Sequence, residues 1–283
     1  NPNPNPNPNL TLTLTNLTLT LTLTVPVAAT AQLRTTISRY TSGVGPCPRG
    51  VVVEGDRGCG KSLLSLAVAA ECGMNVIALS STELLSKWLG ETEATIRQLF
   101  ACARAAAPCA IVVDEFEAIA CRRGGGDESG LSTSLQGRVL STLLNELDGV
   151  SSAGVGAGRD EDSAVMLVVT CPSLQLLDEA LLRPGRLDIH CRLGRPTIVD
   201  LQGILEVRVR GLPLAADVDL GVLAEILAAR GATGADCRAL CDATVTSVVR
   251  ATIEASGEGE LIKEPCIAHK DFMASLASKT GRS

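Results

Sequence analysis

Histidine, basic clusters and long apolar runs are scarce in this sequence, and each shortage excludes a class of protein. The 283 residues include only two histidines and no C-x-x-C pair, so a zinc site is not expected. No run of about 18 apolar residues occurs, nor a charged leader before an apolar segment, so neither a membrane span nor a signal peptide is predicted. Lysine and arginine are scattered along a chain of net charge −6, which indicates no nucleic-acid partner.

Cysteine, by contrast, is abundant. The eleven cysteines occur singly, mostly inside apolar segments such as ACARAAAPCAIVV (101–113). This pattern indicates reduced, buried thiols and therefore a cytoplasmic type of compartment, with the nucleus as the alternative. The chain begins with Asn rather than Met, which we interpret as the mark of a fragment or a processed product.

Residues 1–24 form a low-complexity repeat, NPNPNPNPNLTLTLTNLTLTLTLT. Asn-Pro and Thr-Leu are the dipeptides that two reading frames of the hexanucleotide AACCCT encode. We therefore interpret this segment as an artefact of the gene model or as part of a gene fragment beside a telomere-type DNA repeat, and we assign it no function. With the residues that follow, it forms a leader and linker over residues 1–42.

From Val51 onward, apolar strand-like runs alternate with helix-length patterns. The predicted strands lie at 51–54, 75–80, 110–114 and 163–170, and the predicted helices among them at 61–72, 91–106 and 134–147. This alternation indicates a parallel sheet covered by helices on both faces. After about Pro196 the patterns are helical only, at 199–209, 219–229, 234–254 and 269–277. The sequence thus predicts an α/β domain over residues 43–196 and a small all-α domain over residues 197–283.

The octapeptide GDRGCGKS fits the phosphate-binding loop G-x-x-x-x-G-K-[ST] and lies between a predicted strand and a predicted helix, as the motif requires. Its glycines let backbone N–H groups wrap a nucleotide's phosphates at the helix N-terminus. Lys61 is expected to reach the β- and γ-phosphates, and the Ser62 hydroxyl to ligate Mg²⁺. The alternative is a glycine-rich turn that precedes Lys-Ser by chance. The predicted nucleotide-binding residues of this loop are Gly55, Asp56, Arg57, Gly58, Cys59, Gly60, Lys61, Ser62 and Leu63.

A second acidic motif follows about fifty residues later, where AIVVDE (110–115) reads as a buried strand ending in two carboxylates. Asp114 is predicted to hold Mg²⁺, directly or through water, and to contribute to nucleotide binding. Glu115 is predicted to polarise the water that attacks the γ-phosphate. The alternative is an ordinary helix start, where acidic residues are favoured.

These segments resemble the AAA subgroup of the AAA+ ATPases, from about Gly43 to Ser283. The similarity extends over the phosphate loop, IVVDEFEAIA (111–120), ALLRPGRLD (180–188), GATGADCRALC (231–241) and HKDFMASL (269–276). Within the family, the segments KWLGETEATIRQLF and RVLSTLLNELDGV are similar to the second ATPase module of valosin-containing-protein-like and spermatogenesis-associated AAA ATPases. The resemblance implies an α/β P-loop parallel sheet flanked by helices (AAA+ type), an all-α lid, the cofactors ATP and Mg²⁺, and ATP hydrolysis.

The resemblance also implies a ring. Such proteins act as hexamers with ATP sites between neighbours, so the expected partners are copies of this chain or related AAA subunits. Arg183 and Arg186 match the arginines that reach the neighbour's γ-phosphate. The alternative for both residues is helix capping and surface ion pairing.

Two further pairs of residues take roles from the resemblance. Trp88 and Leu89 match the family's pore loop, in which an aromatic residue grips a polypeptide substrate in the central channel. A core position is the alternative for Trp88. Gly234 and Ala235 match the small residues that pack near the adenine, and a tight helix start is the alternative for them.

The sequence departs from the family at two places. The family usually has Asn at the end of its fourth strand, where this chain has Cys171 or Pro172, depending on the alignment, and Thr170 is the nearest polar candidate. The usual Pro-Pro of the phosphate loop is Asp56-Arg57 here. Both changes leave nucleotide binding as the expectation and make fast hydrolysis less certain.

Two functions are therefore open. One is an ATP-driven remodelling enzyme that unfolds or separates protein substrates. The other is a catalytically weakened subunit that binds nucleotide and completes a mixed ring. A truncated gene product that does not assemble alone is a third outcome. A helicase or DNA clamp loader is not expected, given the acidic charge and the KWLG segment.

Overall fold

A computed structural model of the protein describes residues 27–42, 49–86, 92–121, 130–152, 165–255 and 265–280. The described residues form two compact units. The first unit comprises those of Val27–Asp56 and Lys61–Gly194, and the second comprises Arg57–Gly60 and those from Arg195 onward.

The first unit is built on a five-stranded sheet in which every neighbouring pair is parallel. Its strands are β1 (Gly50–Gly55), β2 (Asn75–Ser80), β3 (Cys109–Asp114), β4 (Val165–Cys171) and β5 (Ile189–Leu193), in the spatial order β2-β3-β4-β1-β5. All of β4 and all but the last residue of β3 are buried, as expected for strands covered on both faces. The carboxyl ends of β1, β4 and β3 therefore lie side by side at one edge of the sheet.

Five described helices accompany this sheet: α1 (Val27–Ser42), α2 (Lys61–Glu71), α3 (Ser81–Ser86), α4 (Thr92–Ala105) and α5 (Gly130–Ser152). Short 3₁₀ helices lie at Phe116–Ala118 and Leu174–Leu176. The apolar core lies between the sheet and these helices and includes Ile96, Phe100, Ile111, Phe116, Leu143 and Leu167. Burying each such side chain contributes about 1.5–3 kcal/mol, so packing on the sheet accounts for much of the stability.

Helix α1 falls in the segment that the sequence had assigned to a leader and linker. Its side chains Leu33 and Ile37 are fully buried, and they lie one helical turn apart. The Arg34 guanidinium pairs with the Glu71 carboxylate on α2 at 2.5 Å. The helix is therefore an integral part of the first unit.

The second unit contains four described helices: α6 (Ile198–Val209), α7 (Leu220–Ala229), α8 (Gly234–Ala255) and α9 (His269–Thr280). Thr197 and Asp200 form a reciprocal capping box at the start of α6. The Asp219 side chain accepts N–H groups at the start of α7. The core of this unit includes Leu201, Leu205, Leu223, Cys237, Leu240 and Phe272.

The predicted fold class, a parallel sheet flanked by helices and followed by further helices, is confirmed. Strand β5 was not predicted, because in IHCRL only Cys191 and Leu193 are buried and the pattern lacks a continuous apolar run. Helices α1 and α3 were also missed. None of the described helices is long and apolar enough to cross a membrane.

Candidate nucleotide site

Three positions at the end of β1 and in the loop that follows it can be occupied without strain only by glycine. A Cβ atom on Gly55 would lie 2.4 Å from the carbonyl oxygen of Leu193 on β5, so the neighbouring strand leaves no room for a side chain. Gly58 and Gly60 have φ values of +81° and +92°, a backbone region that other residues enter only with strain. The local backbone therefore requires glycine at these three positions.

Lys61 and Ser62 open helix α2 directly after this loop. Lys61 is only 9% exposed, and its Nζ donates a hydrogen bond to the carbonyl oxygen of Asp56 at 2.9 Å. This bond places the ammonium group over its own loop. Ser62 is half-buried, while Leu63 is 37% exposed. The helix N-terminus adds its partial positive charge at the same place.

The tip of the loop belongs to the second unit. There the N–H of Ala235 donates to the carbonyl oxygen of Gly58 at 3.1 Å. A Cβ atom on Gly58 would lie 2.6 Å from Thr233 Oγ1 and 2.8 Å from the Cβ of Ala235. A Cβ on Gly234 would likewise lie 3.3 Å from the Gly58 oxygen. Within the second unit, Gly234 and Ala235 therefore lie against Gly58, and the tight helix start noted as their alternative is present as well.

Asp114 and Glu115 follow β3, and Thr170 lies near the end of the adjacent strand β4. The Thr170 hydroxyl donates a hydrogen bond to the Asp114 carboxylate. The same oxygen accepts the backbone N–H of Glu115 at 3.2 Å. Thr170 is fully buried. One hydroxyl group thus joins both acidic residues of the predicted site.

Glu115 has a left-handed backbone, with φ 53° and ψ 46°. Among the described residues it is the only non-glycine residue with a positive φ. Such a conformation costs about 1–3 kcal/mol and is found at functional sites, where the surroundings enforce it. Its side chain is exposed.

Arg183 and Arg186 have different surroundings. Arg183 is exposed, and no side-chain hydrogen bond is found for it among the described residues. Arg186 is bound within the first unit: Nε and Nη2 donate to the Asp148 carboxylate at 2.9 and 2.6 Å, and Nη1 donates to the carbonyl oxygen of Ala180 at 2.6 Å. The hydrogen bonds between these two groups lower the pKa of Asp148 and raise that of Arg186. For Arg186 the structure shows the surface ion pair of the alternative interpretation.

Several charges act on the end of β4, where Cys171 is fully buried. The pKa of its thiol is raised to about 12, mainly by burial and to a lesser extent by the charges of Glu54 and Glu117, while the charge of Lys61 lowers it. Oε2 of Glu117 is buried and has no hydrogen-bond partner among the described residues. Neither glutamate was predicted, although one directly precedes the phosphate loop and the other follows Glu115 by two positions.

The donor set fits a magnesium ion that also binds phosphate. Ser62 and Asp114 offer a hydroxyl and a carboxylate oxygen, which are ligands that Mg²⁺ prefers. No cluster of three His, Cys, Asp or Glu side chains able to hold a metal ion is found among the described residues.

The remaining predicted residues are placed as follows. Asp56 and Arg57 are exposed, and Cys59 is half-buried in the loop. Trp88 and Leu89, the predicted pore-loop pair, lie outside the described residues.

Comparison with known proteins agrees with this geometry. Residues 51–195 match the model of the ATPase family associated with various cellular activities (AAA). The chain is also 39% identical over 217 residues to a cell division cycle protein 48 homolog from Archaeoglobus fulgidus. That alignment covers 77% of this chain and 28% of the relative, so the chain spans just over a quarter of the length of the protein it resembles.

Proposed function

Because the chain belongs to the ATPase family associated with various cellular activities (AAA), we propose that it binds ATP with Mg²⁺ and hydrolyses the nucleotide within a ring-shaped protein-remodelling machine. The observation that carries the proposal is the meeting of three strand ends. The phosphate loop leaves β1, Thr170 lies near the end of β4, and the acidic pair follows β3. Ligands of open α/β sheets bind at this edge.

Within this site the loop residues 55–63 hold the phosphates through backbone N–H groups and through the Lys61 ammonium group. Ser62 and Asp114 hold Mg²⁺, which neutralises charge on the phosphate oxygens when bound. Glu115 orients and polarises the attacking water. Gly234 and Ala235 pack beside the adenine. The ATPase domain extends over residues 43–196 and the lid over residues 197–283.

The ring is a homohexamer or a mixed ring of related subunits. Arg183 reaches the γ-phosphate bound to the neighbouring subunit, where a group of this kind contributes about 10³–10⁵ in rate. Arg186 assists there or fixes the segment from which Arg183 projects. Trp88 and Leu89 grip a polypeptide in the central channel. The machine works in the cytoplasm or the nucleus.

Steady-state ATP turnover tests the proposal, with Glu115→Gln and Lys61→Ala beside the parent chain. Glu115→Gln should bind ATP normally and lose turnover, because only the water-polarising carboxylate is replaced. Lys61→Ala should lose binding. A parent chain that binds ATP but turns it over no faster than Glu115→Gln would exclude hydrolysis by this module.

That last outcome would favour the second candidate, a nucleotide-binding subunit of a mixed ring. Two observations support this candidate: the chain lacks the usual Asn at the end of β4, and Arg186 is engaged within its own unit. Adding this chain to an active related subunit distinguishes the two. If this chain is a scaffold, its Glu115→Gln variant should still raise ATP turnover by the related subunit.

A further inference from the structure

We propose that Thr170 is the positioning residue of this site and that its hydroxyl orients both acidic residues. The inference rests on the proposed hydrolysis at Glu115 and adds the residue on which the orientation of the acidic pair depends. Thr170 acts through Asp114 and Glu115 and does not itself need to contact nucleotide.

The Thr170 hydroxyl donates one hydrogen bond and accepts another. A threonine hydroxyl has one proton to donate and can accept in return. Its proton goes to the Asp114 carboxylate, which can only accept, and its oxygen receives the Glu115 N–H at 3.2 Å. Since Thr170 is fully buried, bulk water does not compete for either role.

Each of these bonds has a consequence for the proposed chemistry. With Oδ1 of Asp114 engaged by the hydroxyl, the carboxylate has a fixed orientation toward a cation. The bond to the Glu115 N–H stabilises a left-handed backbone that glutamate otherwise avoids. Removing the hydroxyl therefore loosens the cation ligand and the water-polarising residue together.

Other buried threonines of the chain make a different kind of bond. The hydroxyl groups of Thr142 and Thr244 donate to backbone carbonyl oxygens four residues earlier, at 3.0 and 2.9 Å. Those bonds lie within single helices and involve no acidic side chain. Thr142, which is 5% exposed and lies in the first unit, is therefore a matched control for Thr170.

The test compares Thr170→Val, which keeps the shape and removes the hydroxyl, with Thr170→Ser and Thr142→Val. Thr170→Val should bind a fluorescent ATP analogue normally in EDTA. The Mg²⁺ concentration that it needs for half-maximal turnover should rise, and its kcat should fall, each by about 10- to 100-fold. This is the usual effect of removing a hydrogen-bond partner of a metal ligand. Thr170→Ser should restore most of both, and Thr142→Val should lower stability only.

Amide hydrogen exchange at Glu115 tests the inference independently of turnover. Thr170→Val should exchange this amide faster than the parent, while Thr170→Ser and Thr142→Val should not. If the parent hydrolyses no ATP, the proposed function fails, and the exchange result still decides whether Thr170 holds Glu115. Unchanged exchange, an unchanged Mg²⁺ requirement in Thr170→Val, or a serine variant as impaired as the valine variant would overturn the role of Thr170.

Discussion

Replacing Arg186 and Asp148, singly and together, measures how firmly the segment around Arg183 is fixed. Three hydrogen bonds are at stake, two to the Asp148 carboxylate and one to the Ala180 carbonyl oxygen. The side chain of Arg186 is 18% exposed and that of Asp148 is 52% exposed, so solvent screens the ion pair. Because two nitrogen atoms of Arg186 bind the two carboxylate oxygen atoms of Asp148, we expect the pair to contribute about 1 kcal/mol to the free energy of unfolding. This value is near the upper end for exposed ion pairs.

The carbonyl bond adds a separate contribution of about 1 kcal/mol. Asp148→Ala should therefore lower the free energy of unfolding by about 1 kcal/mol and Arg186→Ala by about 2 kcal/mol. The double variant should lose no more than Arg186→Ala, which leaves a coupling energy of about 1 kcal/mol. For a unit of this size, each 1 kcal/mol corresponds to about 2–4 °C in Tm.

The stabilisation that the Arg186–Asp148 ion pair provides should weaken at acidic pH. Arg186 holds the pKa of Asp148 below its usual range. The stabilisation is therefore complete above the unfolded aspartate pKa of about 3.9 and disappears as the pH falls through the lower folded value. Urea unfolding should show a difference of about 1 kcal/mol between Asp148→Ala and the parent at neutral pH, and this difference should shrink progressively as the pH falls below about 3.9.

A weaker ion pair supplies the control. Arg238 and Asp242 on α8 lie 3.6 Å apart and are 64% and 66% exposed, so Arg238→Ala should change stability by less than about 0.5 kcal/mol. Arg183→Ala should also leave stability unchanged while abolishing turnover. Equal stability losses in Arg183→Ala and Arg186→Ala, or no loss in Asp148→Ala, would refute the reasoning.

Four other predictions concern the loop, the thiols and the channel. In a binding titration, Gly58→Ala should reduce ATP affinity more than Gly60→Ala. Both glycines have positive φ, but only at Gly58 would a Cβ atom collide with neighbouring atoms. Equal losses of affinity in the two variants would contradict this prediction. Iodoacetamide at about pH 8 followed by peptide mass spectrometry should label the exposed thiols first, namely Cys102, Cys121 and Cys266. Buried thiols, whose pKa burial raises to about 11 or 12, should react only on unfolding, namely Cys109, Cys171, Cys237 and Cys241. Alkylation of Cys59 should block ATP, and persistent binding after confirmed modification would contradict its placement in the loop. Trp88→Ala should keep nucleotide binding and lose substrate unfolding, and loss of binding would indicate a core residue instead.

The elements that the sequence predicted correctly are those with an unambiguous local signal. Strands β3 and β4 are uninterrupted apolar runs, and the phosphate loop is defined by residue type and spacing. Strand β5 has only two buried side chains that alternate with polar ones, too weak a pattern to stand out. Helix α1 follows low-complexity sequence, although its buried Leu33 and Ile37 have helical spacing.

The sequence predicted candidate residues for the site, but not which of them contact one another. Thr170 was identified as the nearest polar candidate, yet its bonds to Asp114 and Glu115 join positions more than fifty residues apart. The left-handed backbone of Glu115 could not be predicted, because glutamate rarely adopts it. The pairing of Arg186 with Asp148 depends likewise on tertiary structure, since no local pattern connects them.

The order of the strands also determines when the phosphate loop can form during synthesis. Strand β1 has no partner among its sequence neighbours: Gly50 lies beside Leu167, and Val51 lies beside Ile189. At about 5–20 residues per second, the ribosome needs on the order of ten seconds to supply β4 after β1. Until then β1 is an apolar strand with two open edges, a form that is prone to aggregation. On a nascent chain, ATP binding would therefore report that the sheet has closed around β1.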